Sequence, residues 1–204
     1  MKLSHILCLV AACFCMPVLT ACQGPQAPTQ VAQNLSSIRA EMMNGRESIV
    51  WVGKSLTSLR SSNGADLKLQ FENYTRNLET MEAKAGGVKL VLDMQQDRTE
   101  QYFQKWEKEI DALASEDLRR RGGDRRDIVL QAYNDLKARI VTLRKSFQPY
   151  HASLRDTHRF LASDLTPAGL KTAKPNIELA LQRQEKVLSD LDKVVEGIDQ
   201  ITKN

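Results

Sequence analysis

Leu35, Ile38, Met42, Gly45, Ile49, Val52, Leu56 and Leu59 follow one another at alternating intervals of three and four residues. On an α-helix this spacing gathers the side chains into one narrow stripe, the seam of a coiled coil. Three further runs repeat it. The second is Leu67, Phe71, Tyr74, Leu78, Met81, Ala85, Val88, Leu92, Gln95, Thr99, Tyr102, Trp106, Ile110 and Leu113. The third is Ile128, Ala132, Leu136, Ile140, Leu143, Phe147, Tyr150, Leu154, Thr157 and Leu161. The fourth is Ile177, Leu181, Gln184, Leu188, Leu191, Val195 and Ile198. No strand-like alternation competes with them. A helix with one apolar stripe must bury it against another helix, so the chain is expected to be all-α: an elongated antiparallel helical bundle of about four helices with coiled-coil-like packing.

The joints and breaks follow from local chemistry. Asn63-Gly64 suits a left-handed turn after the first helix. Ser115 is placed to cap the third helix, with Glu116 and Asp117 in its first turn. Thr166-Pro167 opens the fourth as cap and first helical residue. Inside the helices, Gly86-Gly87 should cost about 1 kcal/mol each relative to Ala, which predicts a bend or a close helix contact. Pro149 is expected to kink the third helix, and Pro175 to divide off the start of the fourth. The outer helices come to about 30–38 residues and the inner two to about 50. Helices two and three should therefore project past the others as a hairpin.

The N-terminus reads differently. Lys2 precedes an apolar run over residues 6–12 that continues through Phe14, Met16, Val18 and Leu19. This is the layout of a secretory leader, too short for a comfortable membrane span. It ends in Leu19-Thr20-Ala21-Cys22, which resembles the lipobox of bacterial lipoproteins: an aliphatic residue, two small residues, then the acylated cysteine. Residues 1–21 are thus expected to be a signal peptide. Cys22 would carry diacylglycerol and an N-acyl chain such as palmitate. Of four cysteines, Cys8, Cys13 and Cys15 leave with the leader, so no disulfide can form within the mature chain. Gln23, where a retention signal would place Asp, points to the outer membrane with the domain facing the periplasm. Residues 22–30, with Gly24, Pro25, Pro28 and no charge, form a short tether, and residues 31–204 the bundle.

Charge and motifs exclude several classes. Loss of Lys2 leaves 28 basic against 25 acidic side chains, close to neutral and unsuited to nucleic acid. Catalytic nucleophile motifs are absent, and the mature chain keeps no free thiol once Cys22 is acylated. His151 and His158 stand two turns apart near Asp156 and Asp164, but a metal site needs three or four converging ligands, so they read as solvated histidines. Neither catalysis, nor a metal, nor a bound cofactor is expected. A membrane anchor through lipid is the expected partner, with peptidoglycan or an envelope protein as further partners; heptad exteriors also suit a homo-oligomer.

The expected tip of the central hairpin carries Tyr102, Phe103 and Trp106, then Arg119, Arg120, Arg121, Arg125 and Arg126. If the first helix leaves the membrane, the turn between helices two and three returns to the anchored end. The arginines could then meet anionic lipid heads or peptidoglycan carboxylates at about 1 kcal/mol each. The plainer alternative pairs them with Glu107, Glu109, Asp117, Asp124 and Asp127, and puts Trp106 in the hairpin core.

Tyr102-Phe103-Gln104-Lys105-Trp106-Glu107, then Leu118-Arg119-Arg120-Arg121, residues 133–149 and the junction from Phe160-Leu161 to Leu170 resemble one family. It is an uncharacterised family of Gram-negative lipoproteins, known as a domain of unknown function. The likeness spans residues 31–202 and departs at Pro175. It implies an all-helical periplasmic lipoprotein and brings no activity or site residues. The reading that fits best is a non-catalytic scaffold or spacer at the cell envelope. A membrane-active helical protein is one alternative, although the most apolar mature stretch, residues 88–94, is short and contains charges. A small-ligand carrier or enzyme is another, and would need a polar pocket between helices that the seams do not predict.

Overall fold

A computed structural model describes residues 27–202. It consists of α1 (Thr29–Ser61), α2 (Leu67–Asp111), α3 (Glu116–Ser163) and α4 (Pro167–Thr202), with no strand among the described residues. Short connectors make successive helices antiparallel. α1 packs on α2 and on α4, α3 packs on α4, and the α2–α3 interface is the thinnest. The expected all-α bundle is the fold. α1 begins at Thr29, so the last two residues of the expected tether are helical.

All eight seam residues of α1 are buried. The other seams hold in part, and their departures have one cause: which neighbours each helix has at that height. Asn34 on α1 bonds Thr99 on α2 at 3.2 Å, and Gly45 faces Val88. This pairing puts Thr29 level with residue 104. Arg139 donates to the Lys193 carbonyl at 2.9 Å, which puts Thr202 near residue 131. Beyond those levels α2 and α3 have only each other. Their buried faces rotate together there, so Phe103 is buried rather than Tyr102 or Trp106. Val129 and Tyr133 replace Ile128 and Ala132. Ile128, expected in the seam, is 58% exposed. In α4, pressed between α1 and α3, the centre of the face is Ala180, Val187, Val194 and Ile201. Leu181, Leu188 and Val195 flank it, half-buried.

Pro175 does not divide α4, and Asn63-Gly64 does not turn left-handed as expected. α3 runs unbroken through Pro149 and α4 through Pro175. Each proline removes one N–H. The carbonyls so released belong to exposed Lys145 and Lys171, where water can bond them. α2 is likewise continuous through Gly86-Gly87. A Cβ on Gly86 would meet nothing, and one on Gly87 would have Glu41 Oε2 at 3.9 Å, so no close helix contact depends on either. The close approach falls at Gly45, where a Cβ would lie 3.3 Å from Val88. Nor is Asn63-Gly64 left-handed: no described residue has positive φ. Side chains make that turn instead. Asn63 Oδ1 accepts from the Ala65 N–H at 3.1 Å, and Asp66 Oδ1 from the Asn63 N–H at 3.0 Å. The two predicted caps are present. Ser115 Oγ accepts from Leu118 N at 3.4 Å, and Thr166 Oγ1 from Gly169 N at 3.0 Å.

Candidate functional site at the hairpin tip

The level pairing leaves residues 105–111 of α2 and 116–130 of α3 beyond the ends of α1 and α4. At 1.5 Å per residue this is a protrusion of about 10–20 Å. Its direction is fixed by one bond: Ala27 N donates to Ile201 O at 3.1 Å, so the chain enters the bundle at the end where the hairpin protrudes. Cys22 and the expected leader, residues 1–21, lie outside the described residues.

The protrusion is held by a small core. Phe103, Trp106 and Tyr133 pack as rings, with Phe103 stacked on Trp106 at 6.2 Å and tilted to Tyr133 at 5.7 Å. Ile110 sits against Gly122, where a Cβ would lie 3.3 Å from Ile110 Cγ1. Trp106 is therefore part of the hairpin packing, half-buried. Past Ile110 every side chain from residue 111 to residue 121 is exposed.

Four of the five arginines sit as follows. Arg120 pairs with Asp117 at 3.0 Å and with Asp124 at 3.6 Å. Arg121 pairs with Asp117 at 2.9 Å. Arg126 is the best held: it reaches across the hairpin to Glu107 and also to Asp127 at 2.8 Å. Those hydrogen bonds, Glu107 first, raise its guanidinium above the ordinary arginine value. Arg125 has a partner of its own. Arg119 enters no ion pair among the described residues. Glu109, one of the expected acidic partners, is taken by Lys105 at 3.6 Å. Much of the pairing alternative is therefore realised, but on the surface, where such pairs contribute only about 0–1 kcal/mol each.

From Lys105 to Asp127 seven basic side chains face seven acidic ones, so the tip carries no net charge. The sequence reading missed what it does carry. Leu113 is 38% exposed and Leu118 57% exposed, both at the extreme end of the hairpin. Leu113 had been placed in the α2 seam. The signal available was the end of that seam at a cap residue, Ser115, beyond which no partner helix exists to cover it.

The two histidines are half-exposed and each has a partner across the bundle. His151 Nε2 lies 2.6 Å from Glu82 Oε1, with Phe147 stacked on its ring at 5.8 Å, and His158 stacks on Phe71 at 5.3 Å. They serve the α2–α3 interface. Among the described residues no group of three or more His, Cys, Asp or Glu could hold a metal, and no helix is long and apolar enough to cross a membrane.

Residues 29–204 match a family model described as "Protein of unknown function (DUF2959)". No curated protein and no solved structure matches the chain.

Proposed function

We propose, for a chain that belongs to this family of unknown function, a role as a lipid-anchored, non-catalytic scaffold that stands on the periplasmic face of the outer membrane and rests its α2–α3 tip on the same leaflet. The observation that carries this reading is the shared end: the chain's entry at Ala27 and the protruding hairpin point the same way. Cys22 precedes Ala27 by five residues, a reach of at most about 18 Å at 3.3–3.6 Å per residue. The protrusion is of the same length. A bundle tethered through an acylated Cys22 and standing upright brings residues 111–121 to the headgroups.

The tip suits such a surface although its net charge is zero. Leu113 and Leu118 enter the interface, while Arg119, Arg120, Arg121 and Arg125 reach lipid phosphates and Arg126 keeps its cross-hairpin pair with Glu107. The exposed aspartate pairs are weak enough to exchange for phosphate, a bidentate acceptor that guanidinium matches well. Because acidic residues stand among the arginines, the attraction is local and apolar as much as ionic.

Flotation tests it. The mature chain bearing Cys22→Ser, which removes the acyl anchor, is mixed with anionic liposomes, neutral liposomes or purified peptidoglycan. Co-flotation with anionic liposomes is expected, weakened by salt and abolished by Leu113→Glu with Leu118→Glu, or by reversing Arg119, Arg120 and Arg121. Pelleting with peptidoglycan alone would move the contact to the wall. Failure to bind either surface would leave the arginines as structural pairs.

A further inference from the structure

Midway along the rod, α2 and α3 part. Two cross-helix clasps bracket the opening. At one end His151 and Arg155 hold Glu82, at 2.6 and 3.7 Å; at the other Arg144 holds Asp93 at 3.5 Å. Between residues 82 and 93 the window is about 16 Å long on α2. Behind it lies a cleft of about 420 Å³, within the roughly 300–1,000 Å³ of pre-formed ligand sites. Met81, Ala85, Leu92 and Phe147 form its walls, and Met42 and Gly45 of α1 its floor. Gly45 on α1 and Ala85 and Val88 on α2 all line it, with Val88 Cγ2 3.3 Å from where a Cβ on Gly45 would stand.

The interior is apolar, but the mouth is not. Lys89 and Arg144 both line it, and they share a single carboxylate, Asp93, at 2.7 and 3.5 Å. Two cations on one acid leave one positive charge at the lip. The same carboxyl is held below its ordinary value, by the Lys89 hydrogen bond first and against its own desolvation.

We propose that this cleft binds a single-chain anionic amphiphile, a long-chain carboxylate, with its hydrocarbon between α2 and α3 and its head at Lys89 and Arg144. Three features select that class. The walls favour hydrocarbon, since each methylene they take from water adds affinity. The lip favours an anion. The clasps bracket the window above and below, and a cleft of about 420 Å³ takes one slim chain but not a partner helix about 10–12 Å across. The site is independent of the tip and of whatever the tip touches.

Photolabelling of the full-length chain in isolated envelope membranes tests it. The probes are a diazirine-bearing hexadecanoate and the matching uncharged alcohol, with adducts mapped by mass spectrometry. Hexadecanoate adducts are expected on residues 81–92 and 140–148. Ala85→Trp, which fills the cleft, should reduce them at least fivefold, with helicity and melting checked by circular dichroism. Lys89→Glu with Arg144→Glu, both on the surface, should reduce the carboxylate adducts several-fold while sparing those of the alcohol. Cleft peptides that stay unlabelled, or labelling that the charge reversal leaves unchanged, would overturn the proposal. So would crosslinking of those peptides to another protein in place of the probe.

Discussion

Tyr74 on α2 donates its hydroxyl to the backbone carbonyl of Leu154 on α3 at 2.6 Å, and neither side chain is exposed to solvent. The bond fixes the relative height of the two helices at the end remote from the tip. Desolvation by burial, followed by the nearby Tyr150 and Glu82, raises the Tyr74 hydroxyl well above its ordinary value, so it remains a donor at any pH at which the bundle is stable. Tyr74→Phe keeps the ring and removes the bond. It should lower unfolding stability by about 1 kcal/mol in urea titration, without changing the helical content.

Gly169 has a stronger steric requirement. A Cβ there would collide with the Asp164 backbone oxygen, which cannot swing aside as a side chain can. Gly169→Ala therefore should destabilise by about 1–3 kcal/mol through overpacking, despite the higher helix propensity of Ala. Gly86→Ala is the contrasting change. With open space around it, it should stabilise by about 0.5–1 kcal/mol, both changes being read from thermal melts followed by circular dichroism.

Asp190 is 2% exposed and receives Lys186 at 2.7 Å and Lys193 at 3.5 Å. Desolvation works to raise its carboxyl, but hydrogen bonds from Lys186 and Ser146 and the charges of both lysines outweigh it. The group therefore lies below its ordinary 3.8. A carboxyl depressed in the folded state binds its proton more readily when unfolded. Its contribution is fully present above the unfolded value and is lost as pH falls through the folded one. Asp190→Asn should cost about 1–3 kcal/mol at pH 7. The gap from wild type should close as pH is lowered below about 4, a convergence visible in denaturation series across pH.

The proposed lipid anchor makes a prediction separate from the bundle. Cys22→Ser should shift the protein from the membrane fraction to the soluble periplasmic fraction while leaving its circular dichroism spectrum intact. Intact mass of the wild-type chain should show residues 1–21 removed and acyl groups added. A wild-type mass without acyl chains would remove the tether on which the upright arrangement depends.

Much of the fold was legible because heptad spacing is a local property. Leu35 through Leu59 repeat without a gap, and all are buried in α1. Ser115 and Thr166 could be read as caps because a cap needs only the first turn of its own helix. The errors fell where a second helix has a say. Ile128 and Val129 are adjacent and both apolar, and only the absence of α4 at that height turns Val129 inward. Pro175 looks like a break in sequence, but α4 is continuous through it.

The sequence by itself determined the helices, their number and their antiparallel order, because period, caps and connector length act within a few residues of one another. It also placed the arginines on a hairpin that returns to the N-terminal end. The tertiary structure decided the rest. The height at which α1 and α4 stop sets how far the tip protrudes and leaves Leu113 and Leu118 uncovered. Gly45 and Ala85, unremarkable on their own helices, line one cleft only because the register between α1 and α2 brings both to it. Relations of that kind join residues about forty positions apart through the register between helices, and no spacing along one helix encodes them.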